Sequence, residues 1–151
     1  MRSRFAIVAL VVALALPAAA IAQNPGLNWG PAPGVFPPGA RMAVLQGDPG
    51  QSALFTVRLE MPDGYRIAPH FHPTDEHITV ISGTFLVGMG DSLDATHTSA
   101  LTAGGFISAG ANMHHYAIAR GKTVVQVHAM GPFSLTYVQS KDDPRNAASA
   151  R

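Results

Sequence analysis

The 151-residue sequence predicts an all-β protein, a barrel or sandwich of antiparallel strands in one domain, and three observations support this. Short stretches of β-favouring residues recur from residue 41 onward, separated by clusters of Gly, Pro, Asp and Asn. In one stretch, Phe55, Val57 and Leu59 alternate with polar residues, as on a strand with one buried face. No convincing helical period appears. Strands spaced this closely can close on themselves and so hide their edges.

The predicted strands follow one another with only short connections. In chain order they are Met42–Leu45, Ala53–Glu60, Tyr65–His72, His77–Ile81, Thr84–Met89, Phe106–Ser108, His115–Ala119, Thr123–Ala129 and Phe133–Val138. Turns are expected at Gly47–Gly50, Pro62–Gly64, Ser82-Gly83 and Gly121-Lys122, where Gly, Pro and Asp concentrate. Residues 90–99 read as a surface loop.

The first 22 residues have the pattern of a signal peptide. Two Arg residues precede an apolar run from Phe5 to Leu16, and the small residues Ala20 and Ala22 then fit the Ala-x-Ala cleavage pattern. An uncleaved membrane anchor is the alternative, but a span needs about 20 apolar residues and this run is shorter. We therefore expect cleavage after Ala22, a periplasmic or secreted protein, and no membrane association after cleavage.

Two segments flank the predicted barrel domain of residues 41–138. Residues 23–40 form an arm rich in Pro and Gly, in which Trp29 and Phe36 are among the few large apolar groups. The arm could pack on its own domain, reach across to a second copy of the chain, or be a flexible leader, so the sequence leaves a homodimer open. Residues 139–151 read as a polar tail.

Composition narrows the range of ligands. Outside the signal peptide the chain carries eight Lys and Arg against nine Asp and Glu, with no basic cluster, so nucleic acid is not an expected partner. The chain has seven His and no Cys, which excludes disulfides and thiolate metal sites. Any bound metal must be held by imidazole and carboxylate.

A group of His residues suggests such a metal site. On a strand, His70 and His72 point to one face and Phe71 to the other. Pro73 ends that strand, and Glu76 begins the next alternating run, where a hairpin-like return could bring its carboxylate to the same end. Two imidazoles and a carboxylate suit one divalent transition metal: Fe, Mn, Ni, Cu or Zn.

The spacing around these residues resembles a known family. Gly64-x5-His70-x-His72-x3-Glu76-x6-Gly83 matches the first motif of the cupin superfamily at every fixed position. The resemblance extends over nearly all of residues 41–138. It implies a double-stranded β-helix, a small jelly-roll barrel with a metal near one end, and it implies that these two His and the Glu are metal ligands.

The second cupin motif is degenerate in this chain. Only its first Gly, at Gly104, and its His, at His115, are kept, while Gly110 replaces a Pro and Asn112 replaces a Gly. The family pattern makes the His of this motif the fourth metal ligand. Spacing from Gly104 favours His115, whereas His114 would need a one-residue slip and is expected to face outward or lie in the turn.

The other polar candidates have less specific roles. Asp75 and His77 flank Glu76 and by alternation point away from it, so both are expected at solvated positions. Asp75 could instead accept a hydrogen bond from a ligand imidazole, and His77 is a weak candidate for a fifth or substitute ligand. His97 is expected to be exposed. Gln126 and His128 share a strand face. Either they line a substrate cavity, where His128 would be a catalytic candidate, or they lie on the outer face.

Among the aromatic residues, Tyr116 is expected to pack and to face away from the metal. Four Phe residues are expected in the core: Phe55, Phe85, Phe106 and Phe133.

The sequence is compatible with three functions. The first is a metal-dependent enzyme acting on a small molecule, with dioxygenase chemistry favoured over decarboxylase or isomerase and with Glu76 either as a ligand or as a base. The second is a periplasmic protein that binds or senses a metal or small molecule without turnover. The third is a barrel whose ligands are relics. An open cavity with a further polar group would favour the enzyme.

Overall fold

The computed structural model describes residues 26–148, so the predicted signal peptide lies outside the described residues. Nine strands make up about half of this range: β1 (Gly30–Pro31), β2 (Arg41–Gln46), β3 (Leu54–Met61), β4 (Arg66–Phe71), β5 (Glu76–Met89), β6 (Ser99–Thr102), β7 (Phe106–Ala109), β8 (His115–Met130) and β9 (Thr136–Tyr137). A 3-10 turn at Ser140–Asp142 and a short helix α1 at Pro144–Ala148 follow. No helix in this range is long and apolar enough to span a membrane.

Two long strands, β5 and β8, shape the barrel. The second half of β8 lies between β3 and the first half of β5, whereas its first half lies between β4 and the second half of β5. The result is two antiparallel layers, ordered β1-β2-β3-β8-β5-β7 and β9-β4-β8-β5-β6, which share both long strands. This is the jelly-roll architecture of a double-stranded β-helix, as expected.

The turns expected at Ser82-Gly83 and Gly121-Lys122 are bends inside β5 and β8, which corrects that prediction. Register between the two strands shifts around Ser82. Gly83 has φ 78°, and a Cβ there would lie 2.5 Å from the carbonyl oxygen of Lys122. Glycine thus allows the tight bend without ending the strand, because only glycine adopts this conformation at little cost.

The core lies between the two layers and follows the strand alternation. Phe55 and Phe85 are buried in it as predicted, and Phe133 is half-buried against it. The prediction for Phe106 is wrong, since 59% of this residue is exposed. On the four-residue strand β7, Ile107 packs against the core and Phe106 therefore points to the outer face.

The arm packs on the barrel of its own chain. Strand β1 pairs with the start of β2, and Val35 and Phe36 pack against the core. The hydroxyl of Tyr65 donates to the carbonyl of Pro37, and the hydroxyl of Tyr137 donates to that of Val35 over 2.9 Å. Burial raises the pKa of both tyrosines, so both hydroxyls keep their protons.

Tyr116 anchors the loop before β6 on the outer side of the barrel. It is 1% exposed, faces away from the interior as predicted, and its hydroxyl lies 2.9 Å from the carbonyl of Asp94 and 3.0 Å from that of His97. The ring lies across Gly88, where an added Cβ would come within 2.2 Å of the ring carbon Cζ. Any side chain at residue 88 would therefore clash with Tyr116 in this position.

We therefore expect Gly88→Ala to lower the free energy of unfolding by about 1–3 kcal/mol, the usual cost of overpacking. Chemical denaturation measures the change. Gly34→Ala is the matched control, because no described atom lies within 4 Å of the Cβ it would add. Equal denaturation midpoints for the two variants would contradict this packing.

Candidate metal centre

Four buried side chains converge near one end of the barrel. His70 lies on β4, His72 directly after it, Glu76 begins β5 and His115 begins β8. One ring nitrogen from each imidazole lies within 4.8 Å of the others. Oε2 of Glu76 lies 3.4 Å from Nε2 of His72 and 3.3 Å from Nε2 of His115. The structure thus brings together all four residues predicted as ligands.

Backbone carbonyls fix the orientation of the three imidazoles. Nδ1 of His70 lies 2.8 Å from the carbonyl of Ala68, Nδ1 of His72 lies 2.8 Å from that of Ser134, and Nδ1 of His115 lies 2.9 Å from that of Met113. A carbonyl only accepts, so Nδ1–H is the donor in each case and the lone pair of the neutral ring is on Nε2.

The free lone pairs fit a metal ion. In the part of the chain that the structure describes, Nε2 of His72 and Nε2 of His115 are buried and have no hydrogen-bond partner. A buried polar atom without a partner is costly, and in native proteins a bound ion can take the place of the missing partner. Histidine ligands are typically held through their other nitrogen in this way. The donor set therefore fits a divalent transition metal.

The charges also suit a cation. Burial lowers the pKa of His70 to about 3, and the neighbouring His115 and His72 act in the same direction. Burial by itself raises the pKa of Glu76, but the imidazoles of His115 and His72 outweigh burial and hold this pKa well below its usual range. At neutral pH the site thus combines a charged carboxylate with a neutral His70.

The degenerate second motif still makes the turn that places His115. Asn112 has φ 61°, in the left-handed region that usually favours Gly, and its backbone N–H donates to the carbonyl of His72 over 2.8 Å. Asp75 holds the same turn by accepting from the N–H of Ala111. Asp75 is exposed, as expected, and the alternative in which it bonds a ligand imidazole does not hold, because its carboxylate points to this turn.

The loop after β8 contributes to the site two residues that no sequence pattern marks. The carbonyl of Ser134 orients His72, and the ring of Phe133 stacks on His72 with centroids 4.3 Å apart. The predicted strand at Phe133–Val138 is reduced to β9, so these two residues lie in a loop. Nothing in their spacing marks them, since the contact depends on how the loop folds back.

We expect Phe133→Ala to reduce metal affinity by about tenfold, because residues that orient a metal ligand typically contribute that much. Phe133→Leu should lose less, since it retains part of the packing. Titration of the metal-free proteins measures both affinities. If Phe133→Ala binds metal as tightly as the wild type, the stacked ring has no role in orienting His72.

Gln126 and His128 lie on the outer face, not in the cavity. Their neighbours Val125 and Val127 point inward, so alternation turns both residues outward. Nδ1 of His128 lies 2.9 Å from Oγ1 of Thr56, and its Nε2 lies 3.1 Å from Nε2 of Gln126. The structure therefore does not bring His128 to the site, and its prediction as a catalytic residue does not hold.

The other His residues lie away from the site. His77 accepts or donates a hydrogen bond with Ser108 on the outer face and stacks beside Phe106, so it is not a substitute ligand. His114 pairs with Asp91 and faces outward, as expected. His97 pairs with Asp94 and is exposed, again as expected.

A cavity of about 260 Å³ opens beside the four clustered side chains. It runs into the interior between the two layers, so its walls are the inward side chains of the strands. Its rim is formed by the arm, the turn before β3, the loop after β8 and Arg145 of α1, which is paired with Asp143. The four residues therefore face a space that a small molecule can enter.

Comparison with known proteins shows which solved structures share this fold. No protein-family model matches the chain, and no curated protein does. Solved structures do: a candidate acetylacetone dioxygenase from Methylibium petroleiphilum has TM-score 0.60 and 19% identity, covering 99% of this chain and 98% of that one. An RmlC-like cupin from Shewanella frigidimarina has TM-score 0.55 and 17% identity, covering 70% and 84%.

A third similar structure carries a different activity. The polyketide cyclase RemF from Streptomyces resistomycificus has TM-score 0.59 and 18% identity, covering 73% of this chain and 78% of that one. At such identities the likeness shows the fold alone. The chain therefore has the cupin fold, and its site contains three buried His that could bind a metal.

Proposed function

We propose that the protein is an exported, metal-dependent enzyme of the dioxygenase type that acts on a small molecule. One observation carries the proposal: the free Nε2 atoms of two buried imidazoles, a third imidazole and the Glu76 carboxylate converge beside a cavity. The arrangement offers four protein ligands and room for a substrate.

His70, His72, Glu76 and His115 would hold the metal, which is one of Fe, Mn, Ni, Cu or Zn. A bound divalent metal supplies a Lewis acid and, when it is redox-active, a means of using oxygen. The protein holds the imidazoles in the ligating tautomer through three carbonyls, and the walls keep water away from the substrate.

The cavity favours oxygen chemistry over decarboxylation or isomerisation. Those reactions need a positioned group that gives or takes a proton beside the reacting carbon. Among the described lining residues, the only titratable groups besides the four proposed ligands belong to Arg145 at the rim. Glu76 would have to leave the metal to act as a base. An oxygenation of a substrate that arrives as its anion does not need that step.

A protein that binds a metal or small molecule without turnover is the second candidate. Apart from the exposed Ser134 and Arg145, the described lining residues add no polar side chain to the four proposed ligands, and this favours the binding protein, because an open site with a further polar group was the expected mark of an enzyme. Turnover therefore separates the two functions. The binding protein would fill the same cavity but leave its ligand unchanged.

Oxygen consumption tests the proposal. The purified protein, reconstituted in turn with each of the five metals, is incubated with small dicarbonyls, hydroxy acids and catechols in air and under nitrogen. We expect substrate loss in air matched by oxygen uptake, and none with His70→Ala. Equal turnover under nitrogen would point to a decarboxylase or isomerase, and metal binding without any turnover would favour the binding protein.

A further inference from the structure

Apart from the four proposed ligands, the cavity is lined mainly by apolar side chains. Strands from both layers contribute them, with Phe55, Leu59, Ile67, Val125 and Val127 as examples. Apart from the proposed ligands, the polar side chains among the described lining residues are Ser134 and Arg145, and both are exposed. The interior therefore has one polar end, at the proposed metal site.

This distribution restricts the ligand. A hydroxyl or charge placed against the apolar walls would lose its water without gaining a hydrogen bond, which is costly. A hydrocarbon group gains from the same walls, because apolar burial is favourable in proportion to area. The cavity volume of about 260 Å³ lies just below the usual range for drug-sized ligands, so the ligand is small.

The arm closes part of this apolar space. Val35 and Phe36 line the cavity and are half-buried, and the segment is held in place by the hydroxyls of Tyr65 and Tyr137 on its carbonyls. The side chains of the arm thus form a part of the cavity wall that is not made by the strands of the barrel. The space available to a ligand depends on them.

We propose that the cavity takes a compact, predominantly hydrocarbon molecule with a single oxygen-bearing end directed at the four clustered residues, and that Phe36 forms part of the wall that bounds its hydrocarbon portion. The inference rests on the proposed metal function, because the metal would receive the oxygen-bearing end. It excludes sugars, polyols and molecules charged at both ends as good ligands. It also makes the arm part of the binding site.

Two acids of equal chain length test the ligand class. Hexanoate and adipate share one carboxylate and six carbons, and adipate carries a second carboxylate where hexanoate has a methyl group. Calorimetric titration of the Zn²⁺-loaded protein should give at least about tenfold tighter binding of hexanoate. Equal or tighter binding of adipate would overturn the proposal.

Elemental analysis of the same samples separates this inference from the proposed function. Protein that holds no Zn²⁺ contradicts the metal site, and the inference falls with it. Protein that holds one Zn²⁺ but prefers adipate contradicts the ligand class alone. Hexanoate binding should also weaken at least about tenfold in metal-free protein, since the carboxylate then loses its partner.

Substitution in the arm tests the role of Phe36. In Phe36→Ala the affinity of decanoate relative to hexanoate should rise at least about threefold, because the longer chain gains apolar contact in the added space. Phe36→Leu should show a smaller rise and keeps the arm packed. Phe106→Ala is the matched control, since Phe106 lies exposed on the outer face and should leave the ratio unchanged. An unchanged ratio in both Phe36 variants would overturn the role of the arm.

Discussion

Replacing His115 with Ala is expected to weaken metal binding by more than about 100-fold, because a direct ligand contributes more than the residues that orient it. His115 is 2% exposed, its Nδ1–H is fixed on the carbonyl of Met113, and its Nε2 makes no hydrogen bond in the described residues but faces Oε2 of Glu76 at 3.3 Å. The loss should appear as a higher dissociation constant when the metal-free protein is titrated with each metal.

The neighbouring residue gives a matched control in the same turn. His114→Ala removes the same side chain one position earlier, but His114 faces outward and pairs with Asp91. We expect its metal affinity to stay within about threefold of the wild type, as for a surface substitution. Loss of metal in His114→Ala with retention in His115→Ala would mean that the alternative residue is the ligand.

Acidification is expected to lower the free energy of unfolding of the metal-free protein, because His70 is buried as a neutral ring. Burial lowers the pKa of His70 to about 3, whereas an exposed His titrates near 6.5. The unfolded state therefore binds more protons between these two values, and stability falls as the pH falls through this window. In this window the free energy of unfolding falls by roughly 1.4 kcal/mol per pH unit, so it is about 2 kcal/mol lower at pH 5 than above the usual His pKa.

A variant isolates this contribution from the other groups. His70→Asn has no titratable group, so the difference between its pH profile and that of the wild type reports His70. The raised pKa of His115 makes the protein more stable as the pH falls, which is the opposite sign. The lowered pKa of Glu76 affects stability only from the usual carboxyl pKa downward. His115 and Glu76 are present in both proteins, so their contributions are shared. Denaturant unfolding of metal-free samples from pH 7.5 to 5 measures the difference. Parallel profiles would show that His70 is not buried as a neutral ring.

Local sequence rules were sufficient to predict that the four proposed ligands lie together. His70 and His72 share a face because strand alternation places them there, and the motif spacing correctly brought Glu76 and His115 to the same end. Asn112 kept the turn despite replacing Gly, since Asn adopts the left-handed conformation at modest cost. The all-β architecture followed from the same alternation and from the spacing of turns.

Long-range packing decided the features that the sequence did not reveal. Alternation puts Gln126 and His128 on one face but does not say which face of β8 is the inner one, and the structure places them outside. Phe106 was misplaced for the same reason on the short β7. Phe133 reaches His72 only through the fold of a loop 61 residues further along the chain, which no local pattern encodes.

Metal content of the protein tests the central claim most directly. The protein is purified without a His tag, and elemental analysis is performed on the wild type and on His70→Ala in parallel. We predict close to one divalent transition metal per chain in the wild type and almost none in the variant. Equal metal content in the two proteins, or a wild type without metal after reconstitution, would contradict a metal centre formed by His70, His72, Glu76 and His115.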